Sequence, residues 1–207
     1  TVHLSNHAHR AGGFIRVPVA GPPDVLAQQL RQHLVLDAIL LGGYLVLAGI
    51  AIIYFLARRK DVTPLLFGLF SAALAVYADM TGERLLLQLF TDETPWEVYL
   101  KIEYVAWFLI MASFIQLVHK LFERELHQEV VRLVLATCGL FVLIVLLTPA
   151  GLFSHLAAPG QVLGVAMAAY VTFAIARAAR HGRDDAGVLL AGVAFLCVVV
   201  VVDVVQY

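Results

Sequence analysis

Six long apolar runs dominate the chain, and each has roughly the ~20 residues that a helix needs to cross a bilayer. The runs lie at about 34–57, 63–80, 98–118, 130–148, 161–178 and 186–206. Hydrophobic residues make up 61% of the 207 residues and charged residues 14%, whereas soluble domains are about 45–50% apolar and about 25% charged. We therefore expect an all-α polytopic membrane protein, a bundle of six transmembrane helices.

The residues before the first run are polar and contain Gly12, Gly13, Pro18, Gly21, Pro22 and Pro23. Glycine and proline at this density favour an extended, looped segment, followed by a lead-in helix from about Asp24. The chain opens at Thr1 on this polar stretch and ends at Tyr207 within or just after an apolar run. We expect it to be a piece of a longer protein.

Lysine and arginine lie mainly at one end of the predicted spans. Nine of them belong to that end: Arg58, Arg59, Lys60, Lys120, Arg124, Arg132, Arg177, Arg180 and Arg183. The loops at the opposite end hold only Arg84 and Lys101. Because cytoplasmic loops carry an excess of positive residues, the nine should face the cytoplasm. The N-terminal segment and the loops 81–97 and 149–160 are then outside.

The ionisable residues of the spans concentrate toward the outer ends. Asp203, in "VVVVVDVVQY", lies within about one turn of the last predicted span's outer end, about 5 Å along the axis. The candidate outer polar cluster for signal coupling consists of Asp79, Glu83, Arg84, Lys101, Glu103 and Asp203. An acid within an apolar span is a functional-site hypothesis by default. Two interpretations stay open, namely anchoring of the span ends at the headgroups and coupling of a signal.

Two stripes of small residues predict where helices approach closely, within the bundle or at a dimer face, since small side chains allow tight packing in lipid. One stripe is Ser71, Ala75 and Asp79, and the other is Gly164, Ala168, Thr172 and Ala176. Four aromatic residues favour interfacial anchors and bundle core over a ligand cage: Trp96, Tyr99, Tyr104 and Trp107.

No residue pattern points to catalysis, a cofactor or a metal. The chain contains no G-x-S-x-G, H-E-x-x-H, P-loop or C-x-x-C motif. Cys138 and Cys197 lie inside apolar runs and are interpreted as packing residues. The eight histidines lie in the N-terminal stretch, in loops or at span ends, where a membrane haem would not find facing ligands. With a net charge of −1 and no long basic tract, we expect no nucleic-acid partner.

Several segments together resemble the bacterial seven-transmembrane receptors with diverse intracellular signalling modules (7TMR-DISM). "LSNHAHRAGGFIRVPVAGP" places Asn6, Gly12, Gly13 and Gly21 as in the family's Asn…Gly-Gly stretch before the first span. "GGYLVLAGIAIIYFLARRKDVTPLLFGLF" resembles its first cytoplasmic hairpin, and "TGERLLLQLF" with "PWEVYLKIEYV" resembles its outer loop. "VVDVV" is similar to the Asn-Asp-Ile/Val-Leu pattern of the sixth span, although Val202 stands where Asn is usual.

The resemblance implies a domain division and a topology. Residues 1–23 would be the C-terminal edge of an extracytoplasmic ligand-binding β-sandwich, 24–33 a lead-in, and 34–207 the transmembrane receptor domain with six of seven spans. The protein would lie in the bacterial cytoplasmic (inner) membrane with its N-terminal segment outside.

The resemblance also implies a function. The chain would relay an extracytoplasmic, carbohydrate-like ligand signal to a cytoplasmic diguanylate cyclase, nucleotide cyclase, histidine kinase or phosphatase domain, and would not itself be an enzyme. Expected partners are membrane lipid, a second copy in a homodimer and the small-molecule or carbohydrate ligand. The alternatives are a small six-span transporter or channel, and a membrane-embedded enzyme. A transporter should show internal repeats, broken helices or mid-depth charges, and the sequence shows no convincing case.

Cysteine labelling tests the topology. With cysteine placed at Arg59 or at Thr94, an impermeant thiol reagent applied to intact cells should label position 94 and spare position 59. Position 94 lies in an outer loop of the predicted topology, and position 59 lies in a cytoplasmic one. Labelling at 59 without labelling at 94 would reverse the assignment.

Overall fold

The computed structural model describes residues 21–82, residue 85 and residues 95–180, and its regular elements there are all helical. In chain order they are α1 (Pro23–Ala57), α2 (Thr63–Thr81), α3 (Trp96–Leu121), α4 (Gln128–Leu147), α5 (Ala150–Phe153), a 3-10 turn (Ser154–Leu156) and α6 (Ala157–Arg180). Five segments are long and apolar enough to cross a membrane: Asp24–Ala57, Thr63–Thr81, Trp96–Leu121, Gln128–Leu147 and Ala150–Arg180. The predicted all-α bundle is confirmed. The sixth predicted span, 186–206, and residues 1–20 of the predicted β edge, 1–23, lie outside the described residues.

Prolines and short polar side chains set the starts of the helices. Pro23 opens α1 and Pro64 lies in the first turn of α2, where the missing N–H and fixed φ of proline suit the first helical turn. Asp61 accepts a hydrogen bond from the backbone N–H of Thr63 at 2.9 Å. Hydrogen bonds from the Thr63 side chain and backbone lower the pKa of this exposed carboxyl. The chain therefore reverses within the short connection between α1 and α2.

Helix α1 is longer than a span requires. Its 35 residues extend about 52 Å at 1.5 Å per residue, whereas the hydrocarbon core is about 30 Å thick. With Ala57 at one membrane boundary, about 20 residues suffice to reach the other, near Asp37. The segment expected as a lead-in, 24–33, is helical and continuous with the first span. The part of α1 before Asp37 thus extends beyond the hydrocarbon as a rigid rod.

Helix α3 is the central helix of the described bundle. It packs against α2 on one side and against α4, α5 and α6 on the other, while α1 packs mainly against α2. Phe108 of α3 is fully buried and lies 5.1 Å from Phe141 of α4, measured between ring centroids. Tyr104 meets Phe153 edge-on at 5.3 Å. These two ring contacts hold α3, α4 and α5 together near the connection from α4 to α6.

Close packing of small residues joins α1 to α2. A Cβ atom added to Gly68 would lie 3.2 Å from Cγ1 of Ile52 and 3.4 Å from Cβ of Ala51. The predicted stripe on the second span is confirmed, since Ser71, Ala75 and Asp79 are all buried. Small side chains let the two backbones approach where lipid gives no hydrophobic drive for association.

The stripe predicted on the fifth span lies at the edge of the contact and not at its centre. Gly164, Ala168, Thr172 and Ala176 are half-buried. The buried ridge of α6 is instead formed by larger residues: Met167, Val171, Ala174, Ile175 and Ala178. The stripe thus flanks this ridge, and its role in a close helix approach, within the bundle or at a dimer face, stays a prediction. Of the four aromatic residues, Tyr99 and Tyr104 are core, whereas Trp96 is exposed.

Gly160 provides a test of this packing. A Cβ atom at Gly160 would lie 2.8 Å from Cη2 and Cζ3 of Trp107, so Gly160→Ala must displace the indole. We expect a loss of about 1–3 kcal/mol, typical of overpacking, measured by unfolding in detergent. The matched control is Gly139→Ala, since nothing lies within 4 Å of its added Cβ and alanine favours a helix. Equal stability of the two variants would contradict the packing described.

Candidate functional site at the polar end of the bundle

The two ends of the bundle differ in their charges. We call the end where α2 ends and α3 begins the polar end, and the end where α1 and α3 end the basic end. Asp79 lies near the end of α2, and Lys101 and Glu103 lie in the first turns of α3, so all three share the polar end. The other predicted cluster members, Glu83, Arg84 and Asp203, lie outside the described residues.

Asp79 is buried although it carries a carboxyl group. Only 4% of it is exposed, and it continues the face of α2 that buries Ser71 and Ala75. Met80, the next residue, is also buried. Burying a carboxylate costs free energy unless its environment compensates. An acid kept at this position against that cost is a candidate for function.

Lys101 connects two helices at the polar end. Its Nζ lies 3.1 Å from Oε1 of Glu97, one turn earlier in α3, and donates to the carbonyl oxygen of Leu146 at 3.5 Å. Leu146 lies in the last turn of α4, whose carbonyls have no partner within the helix. A cation there also interacts favourably with the helix dipole. Lys101 therefore ties the start of α3 to the end of α4.

Asp37 is a polar-end residue that the sequence reasoning missed. It is half-buried on α1, and its carboxylate faces Gly82, where an added Cβ would lie 2.5 Å from Oδ2. A cavity of about 240 Å³ adjoins the contact and is lined by Asp37, Leu40, Ala78, Thr81 and Gly82. The available signal was an acid near the start of the first apolar run, level with Asp79. Asp37 follows three apolar residues, Leu34, Val35 and Leu36, so it lies within the first turn of the predicted span.

The polar end joins helices through its charged side chains. Asp37 brings α1 against the end of α2, and Lys101 brings α3 against the end of α4. Among the described residues, no group of three or more His, Cys, Asp or Glu side chains could hold a metal ion. Such an arrangement can hold α1, α2, α3 and α4 in one position relative to each other at the polar end.

The basic end brings together the connections predicted to share a side. Lys120 near the end of α3 acts electrostatically on Asp61 in the α1–α2 connection. The backbone N–H of His127, at the start of α4, donates to the hydroxyl of Tyr170 on α6 at 2.9 Å. Eight of the nine predicted same-side cations, all except Arg183, lie in the described residues. The structure therefore places them at one end of the bundle.

The apolar helices and the segregation of charge to their ends define a multi-pass membrane protein. A family model described as "7TM diverse intracellular signalling" matches residues 33–207. The chain belongs to this family, as its sequence resemblance predicted. It is accordingly a transmembrane domain of the signal-transduction class, and its helices fit a transmembrane sensor. Comparisons with curated proteins and with solved structures return no match.

Lys101 should contribute more to stability than its surface ion pair alone. Lys101→Met removes both the contact with Glu97 and the donor to Leu146, whereas Glu97→Gln removes only the pair. We expect a loss of about 1–2 kcal/mol for Lys101→Met, from the lost hydrogen bond and dipole interaction, against about 0–1 kcal/mol for Glu97→Gln. Unfolding in detergent compares them. Equal losses would show that the α4 contact contributes nothing.

The contact of Asp37 with Gly82 should appear as coupling in a double-mutant cycle. Gly82→Ala would place Cβ 2.5 Å from Oδ2 of Asp37 and 2.9 Å from the carbonyl oxygen of Ala78. Its cost should fall in an Asp37→Ala background, with a coupling free energy of about 0.5–3 kcal/mol.

Gly43→Ala on α1 is the matched control for this cycle, because nothing lies within 4 Å of its added Cβ. Additive effects of Gly82→Ala and Asp37→Ala would mean that α1 does not contact the end of α2 as described.

Proposed function

We propose that the chain relays an extracytoplasmic ligand signal through the membrane to a cytoplasmic output domain. The match of residues 33–207 to a transmembrane signalling family carries this proposal. The ligand proposed is a small molecule or carbohydrate, and the output a diguanylate cyclase, nucleotide cyclase, histidine kinase or phosphatase domain, as the family resemblance implies. The chain itself acts as a receptor module and not as an enzyme. It works in lipid, as a homodimer.

The depth of the charges supports a sensor over a transporter or channel. In the described spans, Asp37, Asp79, Lys101 and Glu103 lie toward one end. The eight described cations of the basic end lie toward the other. The turns between them hold no Asp, Glu, Lys or Arg in any described helix. Transporters place substrate sites near the midplane, with discontinuous helices. Here the described helices α1 to α4 are continuous through mid-depth.

The proposed orientation puts the polar end outside, in the bacterial inner membrane. It is supported by the eight described cations of the basic end, which the positive-inside rule places in the cytoplasm. The rigid rod of α1 before Asp37 then extends from the outer surface. The proposed ligand, bound by residues before Asp24, would transmit its effect to the membrane domain through this helix.

Motion of α1 relative to α2 is the proposed route of the signal. Helix α1 packs mainly against α2, with close approaches at Gly68 within the membrane and at Gly82 near the outer end. A shift of α1 thus changes the surroundings of Asp37 and of the neighbouring polar cluster. A differential interaction of a few kcal/mol is enough to move a two-state equilibrium far toward one side.

Two observations test the function. The gene sequence beyond Tyr207 should encode a soluble signalling domain, and a continuing transport fold would contradict the proposal. In the full-length receptor, Asp79→Asn and Asp203→Asn should change the basal or ligand-stimulated output by severalfold, because each removes a carboxyl group from the proposed polar cluster. Glu129→Gln, an exposed acid at the basic end, is the matched control. Unchanged output at normal membrane levels would leave the cluster an anchoring role only.

A further inference from the structure

The basic end carries a surplus of exposed positive charge. Its described cations are all exposed: Arg58, Arg59, Lys60, Lys120, Arg124, Arg132, Arg177 and Arg180. The described acids at the same end are Asp61, Glu123, Glu125 and Glu129. Eight cations against four acids leave a net surplus of four positive charges. A patch of one sign at the end of a bundle attracts a partner of the opposite sign.

The acids of the basic end serve local structure. Asp61 accepts from the backbone N–H that opens α2. Glu123 pairs with Lys120 at 2.5 Å, and the hydrogen bond from Lys120 lowers the pKa of the Glu123 carboxyl. Arg58 donates to the hydroxyl of Tyr54 at 3.2 Å. Two of the four carboxylates are therefore already used within their own segments.

Four cations keep their charge unneutralised. Within the described ranges, Arg59, Lys60, Arg124 and Arg132 make no ion pair with a carboxylate. Arg59 and Lys60 come directly after α1, Arg124 after α3, and Arg132 near the start of α4. Three helix ends thus present these charges from separate positions at the end of the bundle.

The height of these side chains matches the headgroup layer. Because α1 and α3 end at Ala57 and Leu121, the cations that follow lie where the hydrocarbon gives way to headgroups. Arg132 is followed by Leu133, which is 67% exposed and faces lipid in a membrane. A long basic side chain beside such a residue lays its stem on apolar surface and extends its charge to the interface.

We propose that the basic end binds the anionic headgroups of phospholipids, with Arg59, Lys60, Arg124 and Arg132 as its main contacts. Guanidinium groups match phosphate oxygens in a bidentate geometry, and each basic residue near an anionic leaflet adds to the attraction. The occupant is a lipid and not free phosphate, because the cations lie at the ends of membrane-spanning helices. The inference does not depend on which end faces the cytoplasm.

The experiment uses the full chain reconstituted in phosphatidylcholine nanodiscs that contain a trace of spin-labelled lipid. The motionally restricted fraction of labelled phosphatidylglycerol is compared with that of labelled phosphatidylcholine. We expect phosphatidylglycerol to associate roughly threefold to tenfold more strongly. The preference should largely disappear in about 1 M salt, where the screening length is about 3 Å. Soluble glycerophosphate should not compete at the concentration of the labelled lipid.

Two variants of equal charge change locate the site. R59Q/K60Q/R124Q should reduce the preference to within twofold of phosphatidylcholine, whereas R10Q/R16Q/R31Q should retain it. R59K/R124K should retain part of it, since lysine keeps the charge but loses the bidentate guanidinium contact. Equal association of both lipids with the native chain, or equal loss in both triple variants, would overturn the proposal. The nanodisc has both leaflets and needs no output domain, so failure here is distinguishable from failure of the proposed signalling function.

Discussion

The cost of placing an unpaired polar group in hydrocarbon governs the described structure. Each exposed backbone amide in lipid costs several kcal/mol, which leaves helices as the form in which a single segment can cross. The same cost moves charged side chains to the ends of the spans, as with Asp37 and Lys101 at one end and Arg58 and Arg132 at the other. The described irregular segments, such as the 3-10 turn Ser154–Leu156, also lie at an end. Charge is thereby concentrated at two surfaces.

Between those surfaces, packing and not charge holds the helices together. Helix α3 supplies Phe108, Ile115 and Val118 to the shared core, whereas α1 and α2 rely on the close approach at Gly68. The two modes have different consequences. A core of interlocked large side chains resists displacement, whereas the contact at Gly68 depends on a few close approaches, to Ile52 and Ala51. The α1–α2 contact is the one on which the proposed signal route depends.

The sequence predicted the spans well because length and composition alone decide them. Apolar runs of about 20 residues predict helices wherever they occur, and five of the six are observed in the described residues. The continuity of α1 through its lead-in also follows from local rules, since no glycine or proline interrupts residues 24–41. The small-residue stripe on α2 was predictable for the same reason, because it lies on one helical face.

The tertiary contacts were not predictable, because they depend on how separate helices meet. Lys101 donates to Leu146 because α3 pairs antiparallel with α4. No local sequence pattern encodes this pairing. The approach of Asp37 to Gly82 depends on where α2 ends relative to α1. On α6 a ridge of larger residues is buried beside the small ones, and which residues fill that space depends on the shape of α3. Of the predicted polar cluster, only Asp79, Lys101 and Glu103 lie in the described residues.

The central claim is that a signal from residues before Asp24 passes through motion of α1 against α2, and a disulfide tests it most directly. In the full-length receptor, Ala51→Cys with Gly68→Cys should cross-link, because the two Cβ positions lie 3.4 Å apart, close to the ~3.5–4.5 Å of native disulfides. The measurement is the activity of the cytoplasmic output domain, compared between receptors that have the segment before Asp24 and receptors that lack it. The account predicts that oxidation abolishes this difference and that a reductant restores it, while single-cysteine controls keep it. An undiminished difference in fully cross-linked receptor would contradict the account.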